Sequence, residues 1–175
     1  MTLPLWHEEA IAKTQDRKAF DCGDADMNDF LRRYARQSHE LGGAKTLLAV
    51  DDSNPTKILG FYSLTPAALA YERVPEALRR GLARHDVPGF RLARLATHIV
   101  LQGQGLGGQL FAVAVRRCIK AASEVGGVIL IIDAKSERAA KWYAGYGAIS
   151  LQDAPDTLVM ALSTFAVDLR AAGQL

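Results

Sequence analysis

The segment Gln102-Gly103-Gln104-Gly105-Leu106-Gly107-Gly108 constrains this chain more than any other. Apolar residues of strand character precede it, from Phe90 to Val100. A stretch with helical periodicity follows, from Leu106 to about Glu124, with Leu110, Ala114 and Cys118 at four-residue spacing and Phe111, Val115 and Ile119 beside them. A strand, a glycine turn and a long helix in that order form a device for holding an anion. Glycines let the backbone turn tightly and bring its N–H groups near a phosphate, and the helix start adds its dipole. No lysine is needed where several N–H donors converge.

Several chemistries fit such a turn. A nucleoside-triphosphate loop requires Gly-Lys-Ser/Thr at its end, and Gly107-Gly108-Gln109 lacks it. A dinucleotide-binding loop fits the bare pattern of Gly103, Gly105 and Gly108, with Asp133 closing the next strand. However, the loop-to-acid spacing is nearer thirty residues than the usual about twenty. Too little chain follows Asp133 for the rest of a doubly wound sheet. A tight structural turn without a ligand stays open, at a cost in chain entropy. The remaining pattern is Q/R-x-x-G-x-G/A, which Gln102 to Gly107 match without gaps.

The rest of the chain supplies a setting for that turn. Asp24 is placed to cap a helix from Ala25 to about Ser38, which Gly42-Gly43 ends. Thr46–Val50 and Ile58–Leu64 read as a hairpin around Asp51-Asp52-Ser53-Asn54-Pro55. Pro75 suits the first position of a short helix reaching about Leu82. Val128–Asp133 reads as a buried central strand, and Ser136 as the cap of a helix to about Gly145. Ile149–Leu151 and Thr157–Leu162 close the sheet. The expected class is α/β of the mixed α+β kind: a mixed, mostly antiparallel central sheet flanked by helices, in one domain over residues 1–175.

Composition narrows the class of function. With 49% hydrophobic and 23% charged residues over 175 positions, the chain can bury one sizeable core. Its longest apolar run is too short to span a bilayer, and Met1–Ala10 lacks the basic-then-apolar order of a signal peptide, so a cytoplasmic protein off the membrane is expected. Neither Cys22 and Cys118 nor the four histidines have metal-ligand spacing, so no metal is expected. Net charge is only +2, but between Tyr71 and Val100 six arginines (Arg73, Arg79, Arg80, Arg84, Arg91, Arg94) face three acids. Arg32, Arg33 and Arg36 form a second cluster. Such clusters attract polyanions or are simply solvated.

Taken together, Gln102–Gly107, the strand before it, the amphipathic helix after it and the tyrosine-bearing helix beyond resemble the GNAT N-acetyltransferases. The segments FDCGDADMNDFLRRYARQ, ILGFYSLTPAAL, RLATHIVLQGQGLGGQLFAVAVRR and IIDAKSERAAKWYAGYGAI resemble the GNAT toxins of bacterial toxin–antitoxin pairs over Phe20 to Leu162. The resemblance implies a GNAT fold, acetyl-CoA as acetyl donor, the α-amine of aminoacyl-tRNA as acceptor, translation block as outcome, and a ribbon-helix-helix antitoxin as partner. It is compatible with a homodimer, which no sequence feature demands. It implies a cofactor set of Leu95, Ala96 and Thr97 along the strand with Gln102, Gly103, Gln104, Gly105, Leu106, Gly107 and Gly108 in the turn. It implies Tyr143 as catalytic acid, with Tyr146 the weaker choice. His98 stands where that family usually has an acid shaping the turn.

The chemistry asks little of the protein. An α-amine with a pKa of about 7.7–8.0 is partly unprotonated at neutral pH, so a strong base is unnecessary. A phenol near 10 donating to a thiolate near 8.5 goes uphill by only about 2 kcal/mol. His85 and His98 read as structural histidines, and Lys135, Arg138 and Lys141 as solvated charge. If the acceptor is tRNA, Arg79, Arg80, Arg84, Arg91 and Arg94 are the candidates for its phosphates, with Arg91 and Arg94 nearest the acceptor end. The competing readings are an N-acetyltransferase of a protein N-terminus or a small amine, and a non-catalytic CoA-binding partner in a DNA-bound antitoxin complex.

Overall fold

The computed structural model describes residues 2–173, which fall into two compact units: Met1–Thr65 with Arg94–Val113, and Pro66–Ala93 with Ala114–Leu175. Seven strands are hydrogen-bonded in the order β1-β2-β3-β4-β5-β7-β6. They are Trp6–Ala10 (β1), Lys45–Asp51 (β2), Ile58–Leu69 (β3), Val87–Thr97 (β4), Ile129–Asp133 (β5), Ile149–Ser150 (β6) and Thr157–Ala161 (β7). β1 pairs with β2, β2 with β3, β5 with β7 and β6 with β7, all antiparallel, while β4 and β5 run parallel. A doubly wound dinucleotide-binding sheet is incompatible with those antiparallel ladders.

The first unit opens with β1 and a helical stretch built from α1 (Ala25–Asp29), a π-helical turn (Phe30–Tyr34) and α2 (Ala35–Leu41). Asp24 caps it by accepting from Met27 N, and Gly42, at φ 81°, ends it in the left-handed conformation. Beneath lies a core of Phe20, Leu31, Leu48, Val50, Ile58 and Phe61, with Phe20 edge-on to Phe61 at 5.6 Å. The hairpin expected at residues 46–64 forms with a bulge between Ala49 and Val50.

The second unit holds the remainder of α3 (Leu106–Val125), together with α4 (Glu137–Ala144) and α5 (Leu162–Ala171). Its core gathers Leu69, Val74, Val87, Ile129, Ile131, Leu151 and Val159. β5 is buried along Ile129–Ile132, as its continuous apolar run requires. Ser136 caps α4 by accepting from Ala139 N.

Four expectations need correction. The helix expected from Pro75 to Leu82 is a single 3₁₀ turn, Glu76–Leu78, following another at Tyr71–Arg73. Pro75 sits outside it at ψ 137°, so its fixed φ starts no α-helix here. β4 stops at Thr97 rather than Val100, because Ile99–Leu101 tightens into a 3₁₀ turn. Strand β1 was not expected: Trp-His-Glu-Glu-Ala has too little apolar alternation to read as a strand. Helix α5 was not expected either, although Leu162, Phe165, Ala166 and Leu169 are buried at i, i+3, i+4 and i+7.

One glycine is required by close approach. Gly89 pairs with Ile129 across the parallel ladder, and a Cβ there would overlap the Ile129 carbonyl oxygen. Gly89→Ala must part the strands, and it is expected to lower stability by more than about 2 kcal/mol, read as a fall in the urea midpoint at unchanged slope.

Candidate functional site

The turn after β4 is built by the first unit alone. His98 N donates to Leu59 O at 2.8 Å, which keeps the strand in register to its end. His98 Nδ1 then accepts a long 3.4 Å bond from Val100 N, capping the 3₁₀ turn. The imidazole thus does locally what a short acid would do at a helix start. Ile99 N donates to Asp21 O at 2.8 Å, and the Gln102 amide donates to Cys22 O at 2.9 Å and Thr97 O at 3.2 Å. The segment Asp21–Gly23 therefore braces the glycine turn from outside.

That brace has its own support. The Asp21 carboxylate accepts from Gly23 N at 2.8 Å and from the Asn28 amide at 3.0 Å, and Asn28 Oδ1 accepts from Cys22 N at 2.9 Å. The bonds from Gly23 and then Asn28 hold the Asp21 carboxyl below its ordinary pKa. Reading residue types by spacing gave no role to Asp21 or Asn28; only the resemblance of the DCGDADMN segment marked them.

Gly103 and Gly105 have φ of 81° and 92°, a region that other residues avoid. At both positions a Cβ would meet nothing within 4 Å, so conformation and not crowding selects glycine. The first intrahelical bond at the start of α3 runs from Gln109 N to Gly105 O at 3.2 Å. The amides of Leu106, Gly107 and Gly108 precede it and have no partner within the helix. No acid lies in the first turn of α3, and Leu106 and Leu110 are fully buried, which anchors the helix. Trp6 Nε1 donates to Gln109 Oε1 at 2.8 Å, tying that turn to β1. Gln104 donates to Val100 O at 3.3 Å, while its Oε1 is buried with no hydrogen-bond partner among the described residues. Leu95, Ala96 and Thr97 lie on β4 past Leu92↔Ile132, the last pair of the ladder with β5; Ala96 is buried and the other two are partly so. The arrangement offers amides to an anion at the helix start and an unmet acceptor one step away.

In the second unit, Tyr143 lies on α4 and is 5% exposed. Burial pushes its phenol above the ordinary value, so it is protonated at neutral pH but gives up its proton at more than the 2 kcal/mol that solution values suggest. Trp142 packs edge-on to Tyr143 at 4.9 Å and to Tyr146 at 5.1 Å. Cys118 is buried, its thiol pushed up to about 12, which removes it as a nucleophile. His85 Nδ1 lies 3.0 Å from the carbonyl of Asp86 on an exposed loop.

The arginines do not form one patch of open charge. Arg73 makes two bonds to Asp153, at 2.8 and 3.3 Å. Arg79 donates to the carbonyls of Val74 and Glu72 and lies 5.3 Å from the Tyr71 ring centre. Arg91 pairs with Asp133 at 2.6 Å, and Arg94 stacks over Phe30 at 3.8 Å. Arg80 and Arg84 are exposed. Arg33 and Arg36 pair with Asp29 and Glu40 one turn away, and Arg32 donates to backbone carbonyls. Among the described residues no group of three or more His, Cys, Asp or Glu could hold a metal ion, and no helix is long and apolar enough to cross a membrane.

The chain matches no family model. It is 30% identical over 136 residues to a protein of Mycobacterium tuberculosis named as a tRNA-acetylating toxin, covering 78% of this chain and 80% of that one. A solved structure of AtaT complexed with acetyl-methionyl-tRNAfMet superposes with a TM-score of 0.86 at 24% identity, covering 94% of this chain and 99% of that one. A tyrosine-to-phenylalanine mutant of AtaT, bound to the C-terminus of the antitoxin AtaR and to acetyl-CoA, superposes with a TM-score of 0.80 at 24% identity, covering 94% and 98%.

Gly105→Val would force the turn out of its positive φ. Acetyl-CoA affinity measured by calorimetry is expected to fall about tenfold, and the melting temperature to drop by a few degrees, because the positive φ strains a branched side chain even in open space.

Proposed function

We propose, from the premise that this chain belongs to the tRNA-acetylating GNAT toxins, that it transfers the acetyl group of acetyl-CoA to the α-amine of an aminoacyl-tRNA and so blocks translation. The observation that carries this reading is the set of amides at Leu106, Gly107 and Gly108, unpartnered within their helix behind two left-handed glycines. A diphosphate fits there, and the unmet Oε1 of Gln104 suits an amide donor on the attached arm.

The unprotonated amine attacks the thioester carbonyl; the C–N bond forms and the C–S bond breaks. The leaving thiolate takes a proton from Tyr143, the nitrogen loses one to water, and the Tyr143 phenolate regains a proton from water, which restores the acid. An acetylated nitrogen has no lone pair basic enough to attack a peptidyl ester, so the modified aminoacyl-tRNA cannot serve as an acceptor. The chain acts as one GNAT domain over residues 1–175, in the cytoplasm where charged tRNA resides, as a homodimer held silent by a ribbon-helix-helix antitoxin. Incubation with labelled acetyl-CoA and total charged tRNA tests the activity: label recovered on the aminoacyl nitrogen supports it, and label absent from every charged tRNA overturns it.

For Tyr143→Phe, kcat is expected to fall by about a hundredfold with the KM for acetyl-CoA unchanged. The pH profile has one ionisation. Because the folded phenol titrates above its ordinary value, it stays protonated throughout the working range and contributes no descending limb below about pH 10. The rate constant kcat/KM is expected to rise as the amine deprotonates near 8 and then level off.

For tRNA phosphates, Arg80 and Arg84 are the readiest of the five arginine candidates, being exposed. Arg79, Arg91 and Arg94 must leave or share the partners they already hold. The double variant Arg80→Ala, Arg84→Ala is expected to raise the KM for charged tRNA several-fold and to reduce the slope of log affinity against log salt by roughly one to two.

A further inference from the structure

The aromatic side chains around Tyr143 have an inner and an outer side. Tyr143 and Phe165 are 5% and 8% exposed, whereas Trp142 and Tyr146 are 39% and 37% exposed. The outer pair packs edge-to-face, with ring centres 5.1 Å apart, and more than a third of each side chain is still in contact with solvent. Two large aromatic side chains thus stay partly at the surface at one helix end, beside a buried tyrosine.

Cations lie on the same helix and just before its cap. Arg138 stands one turn before Trp142 and Lys135 three residues before Arg138; both are exposed, and neither has a hydrogen-bond or ion-pair partner among the described residues. Lys141 reaches Glu137 only at 3.5 Å, with both side chains more than three-quarters exposed, so its charge is weakly offset. Three cations against one acid, interleaved with partly exposed aromatic rings, form the surface that single-stranded nucleic acid recognises: bases stack on the rings and phosphates meet the charges.

We propose that Trp142 and Tyr146 form the seat of the unpaired 3′ end of the charged tRNA, with Trp142 stacking a nucleobase and Lys135, Arg138 and Lys141 meeting the adjoining phosphates. This rests on the reading that charged tRNA is the substrate. The amino acid is esterified to the terminal nucleotide, so a base held on Trp142, 4.9 Å from the Tyr143 ring, brings the amine toward the proton donor. Acetyl-CoA also carries an adenine. Its diphosphate, however, is matched to the amides of residues 106–108, and a strand with a phosphate at each step suits charges spread from Lys135, before the cap, to Arg138 and Lys141 on the helix.

Trp6→Phe leaves Trp142 as the sole tryptophan. Titrating that protein with a short single-stranded oligoribonucleotide ending in CCA is expected to quench its fluorescence, and Arg138→Gln in the same background to weaken the quenching about tenfold. In kinetics with charged tRNA, Trp142→Leu and Arg138→Gln are each expected to raise the tRNA KM about tenfold without raising the acetyl-CoA KM, and Trp142→Phe to restore most of the affinity. Arg138→Gln tests the surface without touching the aromatic cluster. Absent quenching together with an unchanged tRNA KM overturns the proposal, as does a rise in the acetyl-CoA KM instead. If the native protein acetylates no charged tRNA at all, the functional reading fails, whereas the quenching titration still reports on the surface.

Discussion

The structure turns on a short stretch of backbone whose N–H groups are left without carbonyl partners. An α-helix has no internal acceptors for its first amides, and here Leu106, Gly107 and Gly108 occupy those positions with no side chain capping them among the described residues. Leaving them uncapped disfavours the folded state unless an anion or water takes the donors. Holding them in one arrangement requires the two positive-φ glycines, the buried Leu106 and Leu110, and the Gln102 bonds to Cys22 and Thr97. Much of the first unit is understandable as support for that one turn.

The support is layered. Asp21 and Asn28 order the segment before α1, that segment receives Ile99 and Gln102, and those bonds fix where the glycines can begin. His98 fits the same scheme. Its ring accepts from Val100 and lies edge-on to Phe20 at 5.8 Å, so it joins the turn to the core as well as capping it. A histidine in place of an acid alters the charge near Asp21 without removing the cap.

What could be read from residues alone follows from how local each signal is. Glycines at 42, 103, 105 and 126 mark ends of elements because their positive φ is a local requirement, and Asp24 and Ser136 mark helix starts for a similarly local reason. β1 was not legible because an edge strand with one polar face needs its partner β2 to define it. α5 was hidden because β7 passes into it at Leu162 without a glycine or proline break. The arginines show the same limit for the candidate site. Sequence spacing groups Arg91 and Arg94, but Asp133 and Phe30, which engage them, lie far away in the chain. The burial that shifts Tyr143 is likewise a property of packing.

The most direct measurement compares backbone amide resonances of the protein titrated with acetyl-CoA and with acetyl-pantetheine, which lacks the diphosphate. The account predicts large shifts at Leu106, Gly107 and Gly108 with acetyl-CoA and small ones with the truncated donor. Acetyl-CoA binding that leaves those amides unmoved while others shift would contradict it.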